Sequence, residues 1–404
     1  MKLWESDQNH WFSYLFLFAG MGLITPLLTI YLSLHNLSFS EIGEITSVGM
    51  LPSLVSVPLV TRLSDVYGRK VLLVMVTLIT AIVSIAFPQA DGYWSLLVLV
   101  VLFNSLVGSC VAISAAYSVD ISHRASYGGG FGKFRVSGSI GWILATAVGG
   151  LLADSLGINS IFEVSSLLFV VSTVLVLSVI APPSQAARPK PLSARSGVSL
   201  LIRYIRKNEL SILFLVLILT NAVQASITYF LPLYLRDRFL APNSLITLSF
   251  TLMAVAEIPG MLYFGSLSDK LGRKKVLVLC LAAFPLRMAL TASLGSAVLI
   301  LLAQVLQCLT YGGLFVVSMM YVYDSVPPDV RGAFTGLYFT AQNIGSVLGA
   351  YLCGILTATE GFSGMYYMTA VLSLIALGLF SSLGMRKGKW ESKSFCSSTA
   401  GISL

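Results

Sequence analysis

Charged side chains are scarce in this sequence of 404 residues, where Asp, Glu, Lys and Arg together make up 10%. Soluble domains contain about 25% charged residues, which cover much of their surface. Hydrophobic residues reach 56% here, and the mean hydropathy is +0.87. The shortage of charge argues against a soluble protein and indicates a chain that lies mostly in lipid.

Cysteine and histidine are also few, with five and three residues. Four of the cysteines fall within apolar runs and none belongs to a CxxC pair, so neither a disulfide framework nor a zinc site is indicated. No Walker-type lysine follows the glycine-rich stretches, and no nucleophile–base pair is visible. The sequence therefore predicts no metal, no cofactor, no ATP-driven pump and no enzyme.

Long apolar runs dominate the sequence instead. A helix needs about 20 apolar residues to cross a bilayer, and twelve segments meet that length. They lie near 11–33, 43–62, 71–90, 95–118, 133–154, 160–181, 211–234, 244–265, 275–294, 297–322, 335–357 and 364–385. No small-residue cleavage site follows the first run, which predicts an uncleaved first helix rather than a signal peptide. We expect an all-α membrane protein with twelve transmembrane helices.

Basic residues concentrate on one side of the predicted helices. All but three of the 25 Lys and Arg residues fall at the N-terminus, in the even-numbered loops, in the central linker or in the tail. Arg236 and Arg238 lie on the opposite side, and Arg287 lies inside a span. The positive-inside rule predicts a multi-pass protein of the cytoplasmic membrane with both termini in the cytoplasm. The positive charge thus has a membrane explanation, and no nucleic-acid partner is expected.

The chain divides into two similar halves. We expect a six-helix bundle over 1–181, a basic cytoplasmic linker over 182–208, a second six-helix bundle over 209–388 and a polar tail over 389–404. The halves repeat at an offset of 204 residues, which aligns Leu63-Ser64-Asp65-Val66-Tyr67-Gly68-Arg69-Lys70 with Leu267-Ser268-Asp269-Lys270-Leu271-Gly272-Arg273-Lys274. Asp120 and Asp324 share that offset. Such duplicated halves typically enclose a substrate site between them near the bilayer midplane.

The repeated segments, with Asp-x-x-Gly-Arg-Lys in each half, resemble the loop signature of the major facilitator superfamily. The resemblance covers the whole chain and implies two pseudo-symmetric six-helix bundles that rock about a central site. It also implies that ion pairs in these loops act as a conformational latch. The candidate latch residues are Asp65, Arg69, Asp120, Asp269, Arg273 and Asp324. The alternative is plain positive-inside anchoring with a tight glycine turn.

A narrower resemblance rests on Phe131–Trp142, Glu257–Gly260, Arg287 and Pro327–Gly332. These segments are similar to those of the oligosaccharide, nucleoside and phenylpropionate proton symporter-like group. The resemblance implies that Arg135 and Trp142 contact substrate. The sequence differs from the pattern of this group at helix 10. Gln307 and Thr310, which do not titrate, stand where the group's members have a His and an acid. The alternative for Trp142 is packing or contact with lipid.

Glu257 and Arg287 are charges inside apolar spans. Counted from the cytoplasmic ends of their helices they lie about 12 and 18 Å deep, which brings a long arginine within reach of the carboxylate. Isolated charges at such depth are costly, so they usually pair and face a cavity. The halves are asymmetric here, because the equivalent positions hold Ser53 and Val83. We interpret Glu257 as a proton carrier with Arg287 as its counter-charge; the alternative is a structural ion pair.

Further polar residues in apolar spans are candidates for the cavity wall or for hydrogen bonds between helices. They are Asn104, Asn221, Gln224, Gln304, Gln307, Tyr311 and Gln342. The sequence predicts a monomeric secondary transporter that moves a small polar or anionic solute, such as a sugar, a nucleoside or an aromatic or organic acid, by proton symport. Efflux of an amphipathic drug by proton antiport is the alternative, and a receptor or scaffold that transports nothing is a lesser one.

Overall fold

The computed structural model describes residues 2–121, 127–179, 210–327 and 330–385. The predicted linker 182–208 and tail 389–404 lie outside the described residues. Every described element of secondary structure is a helix. We number the membrane-spanning helices α1 to α12 in chain order.

The N-terminal half contains six spans, two of which are interrupted. They are α1 (Lys2–Ile24 and Leu28–Leu34), α2 (Phe39–Met50 and Ser53–Tyr67), α3 (Arg69–Ala86, extended by the 3-10 turn Phe87–Gln89), α4 (Tyr93–Ile121), α5 (Tyr127–Leu156) and α6 (Ser160–Ser178). The interruption of α2 coincides with Pro52, and a second proline, Pro58, lies inside its second segment. Proline weakens a helix because it lacks a backbone N–H donor.

The C-terminal half repeats the plan with more irregular helices. They are α7 (Leu210–Ala225, the π-helical segment Ser226–Phe230 and Leu231–Phe239), α8 (Asn243–Leu271), α9 (Arg273–Ser293), α10 (Ala297–Ala303, the 3-10 segment Gln304–Leu306, the π-helical segment Cys308–Gly313 and Leu314–Ser325) and a final run, Arg331–Met385. The final run is kinked at Gly361, whose φ is 71° and ψ is 177°, so it forms two spans, α11 (331–360) and α12 (362–385). The described residues contain eleven helices that are long and apolar enough to cross a membrane, and the last of these divides at Gly361, which gives the twelve spans expected from the sequence.

The same glycine turn joins α2 to α3 and α8 to α9. Gly68 has φ 100° and Gly272 has φ 91°, a backbone conformation that side-chain-bearing residues rarely adopt. The glycine of each loop signature is therefore required by the turn itself. We call the end of the molecule that carries these turns the loop-signature end.

Two pairs of helices make the most extensive contacts between the halves: α2 packs against α11, and α5 packs against α8. At the first contact Gly43 faces Gly354 so closely that a Cβ on Gly43 would lie 2.7 Å from the Cα of Gly354. At the second, Gly150 lies against Thr247 and the start of α8. Small residues permit this close approach of helix backbones. In a membrane, association of helices depends on such packing, because the lipid tails are as apolar as the helix side chains.

Asp154, near the end of α5, caps the first turn of α8 in the other half. Its Oδ1 accepts a hydrogen bond from the backbone N–H of Asn243 at 2.9 Å, and its Oδ2 accepts one from Ser244 at 2.9 Å. Deeper in the same contact, Thr251 donates to Thr146 across 2.9 Å. The two halves therefore meet at the end of the molecule opposite the loop-signature end, which we call the Asp154 end.

Candidate substrate and proton site

Arg287 on α9 is fully buried, and neutral side chains surround its guanidinium. Its Nε and Nη2 donate to the Oε1 of Gln304 at 3.1 and 2.7 Å. Its Nη1 donates to Thr310 at 3.0 Å, to Gln224 at 3.4 Å and to Gln307. A buried charge without such partners would be very costly, so this shell of oxygens is what permits Arg287 inside the membrane.

The partners of Arg287 come from places where the helices leave α-helical geometry. Gln304 begins the 3-10 segment of α10, and Thr310 lies in its π-helical segment. Gln224 lies two residues before the π-helical segment of α7. Single-turn π segments are frequent at functional sites, where they shift the direction of neighbouring side chains. Here they let residues three to six positions apart on α10 converge on one guanidinium.

Glu257 on α8 lies against the π-helical segment of α10. A Cβ on Gly312 would lie 2.9 Å from the backbone oxygen of Glu257 and 3.2 Å from its Cγ, so glycine at this position permits the close approach of α10 to α8. Among the described residues the ion pairs within 4.0 Å do not include Glu257 with Arg287. Glu257 and Arg287 therefore form no direct ion pair in this conformation, although both contact residues of α10.

Arg135 on α5 brings a second positive charge from the N-terminal half. Its side chain is exposed, yet its guanidinium carbon lies 5.3 Å from the ring centre of Phe18 on α1. Arg135 is therefore an exposed cation that lies against an aromatic ring of its own half.

The other cavity candidates lie apart from this network. Asn221 donates to the backbone oxygen of Leu217 in its own helix at 2.8 Å. The amide of Gln342 donates to the Tyr338 hydroxyl at 3.4 Å. Trp142 is half-buried and packs against the apolar core, and Asn104 lies on α4 beside Gly49.

The loop signatures form the same ion pairs in both halves. Arg69 contacts Asp65 at 3.0 Å and Asp120 at 2.8 Å. Arg273 contacts Asp269 at 2.5 Å and Asp324 at 3.1 Å. All of these pairs stay within one half, and the pairs with Asp120 and Asp324 connect the glycine turns to α4 and α10.

Sequence reasoning missed several contacts of this site. Met253 accepts a 3.1 Å contact from Arg287 through its sulfur, and it lies one helical turn before Glu257. Thr291, one turn after Arg287, accepts a hydrogen bond from Gln304 at 3.5 Å. One-turn spacing from a charged residue was the available signal for both. The described residues contain no group of three His, Cys, Asp or Glu side chains that could hold a metal ion.

Comparison with known families decides the identity of this arrangement. The sequence model of the MFS_1 like family matches residues 10–368. This chain belongs to the MFS_1 like family. It is therefore a multi-pass membrane transporter of the major facilitator type, as the loop signatures indicated.

Relatives and solved structures of this type resemble the chain over almost its full length. The multidrug resistance protein MdtG of Proteus mirabilis (strain HI4320) is 27% identical over 394 residues, which cover 93% of this chain and 94% of MdtG. The uncharacterized transporter YwbF of Bacillus subtilis (strain 168) is 27% identical over 376 residues, 91% of this chain and 90% of YwbF.

Two solved structures share the fold. The nucleoside transporter NupG has a TM-score of 0.82 at 17% identity, over 96% of this chain and 100% of NupG. A D-xylose-proton symporter has a TM-score of 0.74 at 14% identity, over 94% of this chain and 97% of the symporter.

Proposed function

We propose that this member of the family is a proton-coupled transporter of the cytoplasmic membrane in which Glu257 carries the proton. The observation that carries the proposal is that this carboxylate inside α8 packs against the π-helical segment of α10, the helix that supplies hydrogen-bond partners to the buried Arg287. Arg135 adds an exposed positive charge from the N-terminal half. A proton bound or released at Glu257 changes the charge at the surface where the halves separate, which is how a proton gradient can bias their motion.

The positive-inside bias supports placing the loop-signature end in the cytoplasm. The halves are held together at the Asp154 end by Asp154 and by the contact of Gly43 with Gly354. Arg135 is nevertheless exposed. On this placement the structure represents an inward-open state, in which the substrate site communicates with the cytoplasm.

For the substrate, we favour a small polar or anionic solute taken up by proton symport. Arg135 offers the planar fork of donors that suits a carboxylate or a set of hydroxyl groups. No carboxylate among the described residues forms a salt bridge with it. The fifth-helix resemblance to sugar, nucleoside and phenylpropionate symporters supports the same choice, as does the fold shared with NupG and the D-xylose-proton symporter.

Efflux of amphipathic compounds by proton antiport is the second candidate, and the relatives named multidrug resistance protein MdtG favour it. Two methionines near the site fit it as well. Met253 contacts Arg287, and the sulfur of Met50 lies 3.2 Å from the Tyr229 hydroxyl across the halves. Methionine is flexible and polarizable, and it is common at surfaces that accept varied ligands.

A thermal-shift screen of the purified protein separates these candidates. The panel contains lactose, uridine, phenylpropionate and tetraphenylphosphonium, each at pH 6 and pH 8. Symport predicts stabilisation by one of the first three, and antiport predicts stabilisation by the lipophilic cation. A receptor would bind a compound of the panel and show no counterflow in liposomes.

The coupling role is tested with Glu257→Gln in liposomes that contain the ligand found in the screen. We expect uphill accumulation to be lost while exchange of labelled for unlabelled substrate continues, because the amide keeps the shape but cannot release a proton. Glu163→Gln, at an exposed acid on α6, is the matched control and should accumulate normally. Normal accumulation by Glu257→Gln would remove Glu257 from the coupling role.

A further inference from the structure

Four aromatic side chains of α10 and α11 form a continuous cluster. The rings of Tyr311 and Phe315 are stacked, with centres 6.1 Å apart and an angle of 20° between their planes. The ring centre of Phe315 also lies 5.9 Å from that of Tyr338 and 6.3 Å from that of Phe339. We call Tyr311, Phe315, Tyr338 and Phe339 the α10–α11 aromatic cluster.

The cluster combines one anchored ring with three accessible ones. Tyr338 is fully buried, and its hydroxyl is hydrogen-bonded to that of Ser318 at 2.9 Å. Phe339 is 44% exposed, and Tyr311 and Phe315 are half-buried. Phe339, Phe315 and Tyr311 therefore keep ring surface that another molecule can contact.

Phe339 lies on the face of α11 that is turned toward the N-terminal half. That face is identified by Gly354, which packs on Gly43 of α2. At about 100° per residue, Phe339 and Asn343 lie within about 60° of Gly354 around the helix axis. A Cβ on Gly336, on the same face, would meet no neighbouring helix or side chain within 4 Å. Toward the loop-signature end this face therefore borders open space between the halves.

The apolar face of α11 is a different one. Ile344, Leu348 and Leu352 are exposed. They lie about 140–180° from Phe339 around the helix axis. This stripe suits contact with lipid tails, so the exposure of Phe339 on the other side belongs to the space between the halves.

The repeat makes Phe339 the counterpart of Arg135. The 204-residue offset pairs these two positions, and it also pairs Gly354 with Gly150, which makes the equivalent close contact with α8. From matching points in the two halves, α11 thus presents an aromatic ring and α5 an exposed guanidinium.

The aromatic cluster also adjoins the polar site. Tyr311 lies between Thr310, which binds Arg287, and Gly312, against which Glu257 packs. A molecule whose ring lies on the cluster therefore has charged and hydrogen-bonding groups next to it.

We propose that Phe339, Phe315 and Tyr311 form a subsite that binds the aromatic ring of the transported compound. The inference rests on the proposed function and names its substrate class, a molecule with a planar ring and a polar or anionic group, such as an aromatic acid or a nucleoside. Aromatic rings pair favourably in stacked or edge-to-face geometry. Phenylalanine rings offer no hydrogen-bond partner to sugar hydroxyls, whereas Arg135 offers a fork of donors to an anionic group.

Three matched pairs of probes isolate the contribution of the ring. They are 3-phenylpropionate with 3-cyclohexylpropionate, uridine with ribose, and tetraphenylphosphonium with tetrabutylphosphonium. Binding to the purified protein is measured by isothermal titration calorimetry at pH 7. We expect the aromatic member of at least one pair to bind about tenfold more tightly than its mate.

Substitutions in the cluster then show where the ring binds. Phe339→Leu and Phe315→Leu should each remove most of the tenfold preference, and Phe339→Tyr, which keeps a ring, should retain it. Tyr351→Leu is the matched control, because Tyr351 is 47% exposed on the same helix. It lies about 120° from Phe339 around the helix axis and should leave the preference unchanged.

Wild-type binding without an aromatic preference in any pair, including no binding of all three aromatic probes, would overturn the inference. An unchanged preference in Phe339→Leu and Phe315→Leu, or an equal loss in Tyr351→Leu, would overturn it as well. Binding requires no proton gradient, so failure of the coupling role of Glu257 leaves this result intact. A Phe339-dependent preference for tetraphenylphosphonium alone would support the subsite and contradict symport of an anion.

Discussion

The two halves of this transporter agree at the loop-signature end and differ inside the membrane. Arg69 and Arg273, 204 residues apart, bind equivalent acids after equivalent glycine turns. At mid-membrane the C-terminal half buries Arg287 in a shell of glutamines, whereas the N-terminal half has Val83 at the matching position. The repeat is kept where it shapes the loop-signature end, whereas the buried arginine belongs to one half alone.

Helix regularity differs in the same direction between α4 and α10. In the N-terminal half α4 is continuous over Tyr93–Ile121, whereas its counterpart α10 is divided into four segments between Ala297 and Ser325. The irregular segments lie where α10 supplies Gln304, Gln307 and Thr310 to Arg287. A regular α-helix places residues about 100° apart, so it would not direct all three to one point. The comparison indicates that helix distortion accompanies the buried charge.

Substitution of Arg287 by lysine should give the largest effect. An ammonium group cannot reproduce the fork that reaches Gln304 on one edge and Gln307 and Thr310 on another. We expect a loss of about 3 kcal/mol in the free energy of unfolding, because buried acceptors lose their donors, together with loss of transport. Thermal unfolding in detergent and transport in liposomes measure the two effects.

Arg135→Lys is the matched substitution in the N-terminal half. Because Arg135 is exposed, its replacement should change the unfolding free energy by less than about 0.5 kcal/mol while it impairs substrate binding. Equal destabilisation by both lysine variants would contradict the division of roles between the halves.

The helices at the contacts between the halves are capped in different ways, and substitution of Asp154 should have an effect of intermediate size. The first turn of α8 is capped from the other half by Asp154, whereas the first turn of α2 is capped by its own Ser38 and Glu41. Asp154→Ala should cost about 1 kcal/mol, as loss of a helix cap usually does, and should favour separation of the halves at the Asp154 end. Hydrogen exchange of the Asn243 and Ser244 amides should rise by about fivefold.

Ser38→Ala is the control for Asp154→Ala, because it removes a cap that lies within one half. Exchange should then rise at the start of α2 and remain unchanged at the start of α8. If Asp154→Ala left the α8 amides as protected as before, the Asp154 cap would not hold the halves together.

The spans and the loop ion pairs could be predicted from the sequence because both depend on local or repeated patterns. Apolar length defines a span, and the 204-residue offset placed Asp120 beside Arg69 and Asp324 beside Arg273. The environment of Arg287 could be predicted only in part. Helical spacing placed Glu257 and Arg287 at similar depths, but the α10 side chains that bind Arg287 depend on the 3-10 and π-helical segments of that helix, for which the sequence carries no periodic signal.

Asp154 shows a second limit of sequence reasoning. Its contact with Asn243 joins residues 89 positions apart in different halves, and no mate at the 204-residue offset marks it, since that position holds Ala358. A lone acid at the end of a span is ordinary in a membrane protein. Only the packing of α5 on α8 gives it a partner.

Substitutions in the loop ion pairs should have the smallest effects on stability. They test whether the equivalent ion pairs of the two halves contribute equally to stability. Surface ion pairs contribute about 0.2–1 kcal/mol and weaken with salt. The Asp120 side chain is 32% exposed and that of Asp324 is 59% exposed. Asp120→Asn should therefore lower the unfolding temperature more than Asp324→Asn, and both differences should shrink between 50 mM and about 1 M salt. Equal, salt-independent losses would show that these acids act through packing rather than charge, and the latch would then need another explanation.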